Sequence, residues 1–140
     1  NISVNKRVHM YTSELNEKVG YNDYSVNAVE YLNSIDSSFY RVDKNYFSSP
    51  AVHMGLNDAL IQGYYGTSCY NGFSQKSYIN YLKNYNIIGN NENEARWAMG
   101  LNNRIILESI NSVKYLLLKN GLNPAIKMSH DSLKTFGDVV

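Results

Sequence analysis

One cysteine, Cys69, stands in a chain of 140 residues, so no disulfide can close within it. A lone cysteine by itself leans towards a reducing compartment, although exported bacterial proteins often dispense with cysteine. Long apolar runs are missing too. Val113 to Leu118 is broken by Lys114 and falls far short of the ~18 residues that a membrane crossing needs. Residues 1–22 are mixed and polar, so no signal peptide is expected among them. Net charge is only +1, and the lysines form no stripe, which excludes a nucleic-acid interface and strong attraction to an anionic membrane. There is no internal repeat and no low-complexity linker.

What is present suits one domain spanning 1–140. A chain of this size buries enough of its surface to fold without metal or disulfide, and its 44% hydrophobic and 18% charged residues are ordinary for a globular protein. The final residues Phe136 to Val140 read as a strand with no polar tail after it, so the chain is expected to be a piece of something longer. Asparagines gather at 84 and 86, 90 to 93, and 102 to 103. Asparagine competes with regular backbone hydrogen bonding and so marks turns rather than element interiors.

Periodicity predicts a helix capped by Asp23 or Ser25 and running to about Ser34, with Val26, Val29, Leu32 and Ile35 inward. Phe39 to Asp43 alternates as a strand, and Leu56 to Gln62 reads as a second. Ser74 starts a helix to about Tyr85. A third helix, from Trp97 or Leu101 to Ser109, turns Leu101, Ile105, Ile106 and Ile110 inward. Val113 to Lys119 is apolar on both faces, as a central strand is. The expected class is α/β (α+β), a mixed sheet of about four strands flanked by about three helices.

The most unusual stretch is Leu56 to Leu82. It holds the Asn57-Asp58 pair, the glycine-bracketed Tyr64-Tyr65, Cys69-Tyr70 and a tyrosine-rich helix. A tyrosine has an apolar body and a polar tip, which fits a surface for polar, ring-shaped ligands such as sugars. Arg41, preceded by Phe39 and Tyr40, can stack on an aromatic neighbour and fork to a carboxylate, for which Asp58 is the expected partner, or serve an anionic ligand. The candidate ligand or docking surface is therefore Arg41, Tyr64, Tyr65 and Tyr70. Asn57 and Asp58 are read as scaffold.

No catalytic constellation emerges. His9, His53 and His130 share no helical spacing and no metal frame, so no metal and no cofactor is expected. The acids Asp36, Asp43 and Asp58 each have a structural explanation as a helix stop, a strand end and a turn. Gly63 to Gly66 lacks the Lys-Ser/Thr that a phosphate loop requires.

Three blocks, in order, carry a resemblance. Asp36-Ser37-Ser38-Phe39-Tyr40-Arg41-Val42 is similar to an acidic-x-x-Phe-Tyr-Arg-Val/Ile pattern. Asn57-Asp58-Ala59-Leu60, followed by Gly66 to Tyr70, is similar to Asn-Asp-x-Leu and then Gly-Ile-x-x-Tyr-Ser-Ser, with Tyr81-Leu82 in place of a Phe-Leu. Ile110 to Leu117 is similar to Leu-Leu-x-Val-Lys-Tyr-Ile-Ile. Asn71-Gly72 departs from the pattern, and Asn90 to Asn103 shows little likeness. Together these blocks resemble the bacterial YfhO family of large polytopic membrane proteins.

The resemblance implies a parent with a glycosyltransferase-C-like membrane region that takes a sugar from a lipid-phosphate carrier. It further implies glycosylation of lipoteichoic acid or a similar envelope polymer in Gram-positive bacteria. The chain would then be an extracytoplasmic soluble domain, inactive by itself, with no catalytic residue. Its partners would be the parent's own transmembrane region and a glycan or teichoic-acid acceptor. An alternative role is a structural module docking on the membrane helices or on a partner protein.

Overall fold

The structure, a computed structural model, describes residues 11–16, 20–48, 56–90, 96–119 and 124–140. In chain order the elements are α1 (Thr12–Asn16), α2 (Tyr24–Ile35), β1 (Arg41–Lys44), α3 (Asp58–Gln62), β2 (Cys69–Tyr70), α4 (Lys76–Asn84), β3 (Trp97–Ala98), α5 (Ile105–Ile110), β4 (Val113–Leu117) and α6 (Pro124–Lys127). The expected mixing of helices and strands holds. The four strands form two small sheets rather than one: β1 pairs with β4 in parallel, and β2 with β3 antiparallel.

The parallel pair is the centre. Val42 and Asp43, adjacent in β1, are both buried, which means that both faces of this ladder are covered. On one face Val42 and Leu117 meet Ala28, Val29 and Leu32 of α2, with Tyr40 and Val139 completing the cluster. On the other face Val113 and Leu116 meet Leu82 of α4, Leu107 of α5, and Ala98, Leu101 and Ile88. Arg41 N–H reaches the Ser112 carbonyl at 2.8 Å, and Asn45 N–H reaches that of Leu117 at 3.3 Å, tying the ladder's two ends.

Helix α2 follows its sequence signals. The Asp23 carboxylate accepts from Ser25 N–H at 2.9 Å, capping the first turn. At the far end Asp36 accepts from Ser38 N–H at 2.9 Å, which turns the chain out of the helix and into β1. The asparagine clusters also behave as expected: Asn86, Asn102 and Asn103 all have positive φ.

Two elements differ from expectation for one reason. Leu56–Gln62, read as a strand, holds instead a short helix that buries Asp58 and Gln62 while Leu60 and Ile61 stand out in solvent. Leu101 is buried as expected, but in α5 Leu107 and Glu108 are buried while Ile105, Ile106 and Ile110, expected inward, are exposed. In both, apolar periodicity points away from the core because polar side chains are needed inside. The C-terminal stretch expected as a strand is a tight turn with Phe136 and Val139 bonded to each other at 2.7 and 2.9 Å. That turn depends on Gly137, at φ 58°, where an added Cβ would lie 2.4 Å from the Tyr24 ring. The proposed strand near Val8 lies mostly outside the described residues.

Leu82 is wholly buried and Ile106 largely exposed. Leu82→Ala should therefore cost about 2–5 kcal/mol in denaturant unfolding, whereas Ile106→Ala should stay within about 0.5 kcal/mol of the parent.

Candidate functional site

Contacts link the exposed Tyr65, Phe39 and Tyr85 through Arg41 and the half-buried Tyr81 and Tyr78 into one strip. Tyr65, projecting from the loop after α3, packs on Phe39 with ring centroids 5.2 Å apart. The Arg41 guanidinium lies 5.1 Å from the Phe39 ring centroid, and its Nη1 donates to the Asn111 carbonyl at 2.8 Å. Asn111 in turn donates through Nδ2 to the Tyr81 hydroxyl at 2.6 Å. Tyr81 continues the strip along α4, stacked on Tyr78 at 6.3 Å and tilted against Tyr85 at 5.0 Å. Tyr70 belongs to a separate pair, packed on Trp97 across the β2–β3 ladder at 4.8 Å.

The candidate residues separate accordingly. Tyr65 and Tyr70 are exposed, and Arg41 is half-buried at the middle of the strip. Tyr64 turns inward against the α2 cluster, where burial pushes its hydroxyl well above the ordinary tyrosine range. Tyr81, Tyr78 and Asn111 are additional members. Their spacing along α4 was visible as a tyrosine face, but their link to Arg41 depends on a contact 70 residues apart in sequence.

Beneath the strip's Tyr65 end lies a buried polar network. The expected fork of Arg41 to Asp58 does not form. Asp58 takes Lys44 instead, at 3.1 Å, with both side chains at least 95% covered. Lys44 also donates to Ser48 Oγ at 2.8 Å and Gln62 Oε1 at 3.0 Å, and its ammonium stands 4.5 Å from the Tyr46 ring centroid. Burial draws the Lys44 pKa down, while the charge of Asp58 opposes that shift. Asp23 joins through Ser48 Oγ at 2.7 Å and Lys119 Nζ at 3.3 Å. Burial alone would raise the Asp23 pKa, but the bonds from Ser48 and Ser25 and the charge of Lys119 outweigh it and hold the carboxyl below its usual range. Asn57 serves by accepting Tyr70 N–H at 3.0 Å, which fixes β2 to the start of α3.

On the opposite face Asp43 and Glu108 are both buried with no ion pair among the described residues. Burial raises both carboxyls, and the Asp43 charge adds to the shift of Glu108, one of whose carboxyl oxygens has no hydrogen-bond partner. Burial also pushes the half-buried Cys69 thiol up, opposite to what a nucleophile needs. His9 and His53 lie outside the described residues, and His130 meets Ser129 Oγ through Nδ1 at 2.8 Å. Among the described residues no group of three or more His, Cys, Asp and Glu could hold a metal ion.

The family model described as the bacterial membrane protein YfhO matches residues 2–139. The chain belongs to that family. No curated protein and no solved structure matches it. No helix among the described residues is long and apolar enough to cross a membrane.

The three blocks that carry the family likeness are the ones that hold each other in place. Asp36 of the first block accepts from Lys114 Nζ at 2.5 Å and from the Tyr115 hydroxyl at 2.9 Å, both in the third. The first and third blocks pair as β1 and β4. Val42 N–H reaches the carbonyl of Tyr65 at 2.8 Å, joining the loop of the second block to the free side of β1.

Lys44→Met leaves Asp58 buried without its counter-charge and should cost about 3–5 kcal/mol, and Lys44→Met with Asp58→Leu should recover much of that loss. Glu108 has a raised folded-state pKa, so its carboxyl favours folding below the unfolded value and loses that contribution as pH rises through the folded one. Glu108→Gln should therefore raise Tm relative to the parent at pH 8, with the two curves converging below about pH 4.

Proposed function

We propose that this chain is a non-catalytic extracytoplasmic domain of a YfhO-family membrane glycosyltransferase that draws its sugar from a lipid-phosphate carrier. Its task in this reading is to seat the acceptor, a glycan-bearing lipoteichoic acid or similar envelope polymer of a Gram-positive bacterium, beside the parent's own transmembrane region. The observation that carries the reading is the strip Tyr65–Phe39–Arg41–Asn111–Tyr81–Tyr85, a run of aromatic faces with a guanidinium and an amide between them. Aromatic faces bury the apolar side of a pyranose ring, and the interleaved polar groups take its hydroxyls. Tyr64 supports the strip from beneath, and Tyr70 with Trp97 offers a second platform.

A docking role on the membrane helices or a partner protein is the second reading, favoured by exposed Ile105, Ile106 and Ile110 on α5. Titration of the domain with teichoic-acid fragments should move the amide resonances of 39–41, 65 and 78–85. Tyr65→Ala should weaken binding by about fivefold or more, the loss of one ring contact, with little change in Tm. An unmoved spectrum at millimolar fragment rejects acceptor seating. If Ile106→Ser with Ile110→Ser lowers abundance of the full-length protein while Tyr65→Ala does not, docking becomes the better account.

A further inference from the structure

The small β2–β3 sheet is apolar on both faces. Its inner face carries Cys69 and Ala98, which stand opposite each other in the register and pack into the Leu82 cluster. Cross-strand partners of an antiparallel pair share a face, and neighbours along a strand alternate. The outer face therefore holds Tyr70, its partner Trp97 and, two residues on, Met99. All three are exposed.

The chain leaves β2 through a turn that holds Phe73 outward. Asn71 N–H donates to the Arg96 carbonyl at 3.2 Å, and Asn71 Oδ1 accepts Phe73 N–H at 2.9 Å. Ser74 Oγ closes the turn by donating to the Asn71 carbonyl at 3.4 Å. An added Cβ at Gly72 would meet nothing within 4 Å, so the turn stands clear of the rest of the chain. Phe73 is 95% exposed, the most of any large apolar side chain among the described residues. Lys76, which opens α4, and Arg96, next to Trp97, are exposed as well.

We infer that the outer face of the β2–β3 sheet, with Phe73 at its tip, rests in the interfacial layer of a lipid bilayer. A single ring that projects so far from a fixed turn needs a matching pocket in a protein partner. A fluid bilayer closes round it without one. Tryptophan and tyrosine are the residues this layer favours, because their apolar bodies enter the acyl boundary while their polar tips stay wet. The family to which the chain belongs is one of membrane proteins, so a bilayer lies within its reach. Glu92 and Glu94 precede Arg96 and offset the two cations, so apolar partition rather than charge supplies the attraction. The inference does not draw on the Tyr65–Tyr85 strip, and it makes lipid rather than sugar the occupant of the Tyr70–Trp97 platform.

Trp97 is the only tryptophan of the chain, so its fluorescence reads this face directly. The 140-residue chain is mixed with vesicles of phosphatidylcholine, alone or with phosphatidylglycerol. Emission should shift to the blue with half of the change near roughly 1 mM lipid, about tenfold weaker than one myristoyl chain provides. Lipids brominated near the headgroup end of their acyl chains should quench it. The shift should persist in phosphatidylcholine alone and at roughly 0.5 M salt, where attraction between charges is screened. Phe73→Ser should weaken partition by about fivefold or more. It should leave Tm unchanged, since the ring is almost wholly outside the fold. Ile106→Ser on α5 should leave partition as it is. Emission unmoved at roughly 10 mM lipid, or a shift equally large in Phe73→Ser, overturns the inference. So does a blue shift on concentrating the chain without vesicles, which would name a second copy as the occupant. Teichoic-acid fragments that move Trp97 where vesicles do not would return the platform to the acceptor. Fragments that leave residues 39–41 unmoved bear on acceptor seating alone.

Discussion

The buried ammonium of Lys44 is the constraint around which one half of the molecule is arranged. A charge removed from water costs several kcal/mol unless it meets an opposite charge and enough acceptors. Lys44 meets Asp58, Ser48 and Gln62 together, between the rings of Tyr46 and Tyr64. That demand decides the conformation of the segment that supplies Asp58 and Gln62. The two residues are four apart, and a helical turn stacks them within reach of one ammonium, whereas a strand would hold them about 13 Å apart on the same face. Leu60 and Ile61 are displaced into solvent as a consequence. The network then reaches Asp23 at the start of α2 and Lys119 beyond β4, so that one polar cluster ties four separate stretches of the chain.

The sheet carries the site outward from this centre. β1 places Val42 in one core and Asp43 in the other, and its first residue, Arg41, emerges at the surface beside Phe39. Because β4 lies parallel to β1, the turn that precedes it brings Asn111 under Arg41. A surface strip built from residues 39 to 111 is thus a by-product of one two-stranded ladder. The family likeness follows the same geometry, since its three blocks are the strands and the loop that bond to one another.

Where the sequence was legible, short-range physics was enough. The Asp23 cap, the Asp36-Ser38 turn, the β1 and β4 strands and the asparagine-marked turns each depend on residues within a few positions of one another. Tyr65 and Tyr70 also stood out locally, as tyrosines among glycines and small polar residues. The errors fell where polar residues are inside. Asp58 and Gln62 in α3, and Glu108 in α5, inverted the apolar pattern from which an inward face is read. Opposite charges suggest Asp58 as the partner of Arg41, and no local signal shows that Lys44 lies closer.

Sequence alone determined the mixed class, the family and the capped α2, because composition and periodicity act through neighbours along the chain. Only the tertiary structure decided that Tyr64 points inward and Tyr65 outward, that Lys44 takes Asp58, and that Arg41 joins Asn111 and the α4 tyrosines. Each of those outcomes follows from which distant residue satisfies a buried charge or an unpaired backbone group. A one-dimensional pattern does not encode that choice.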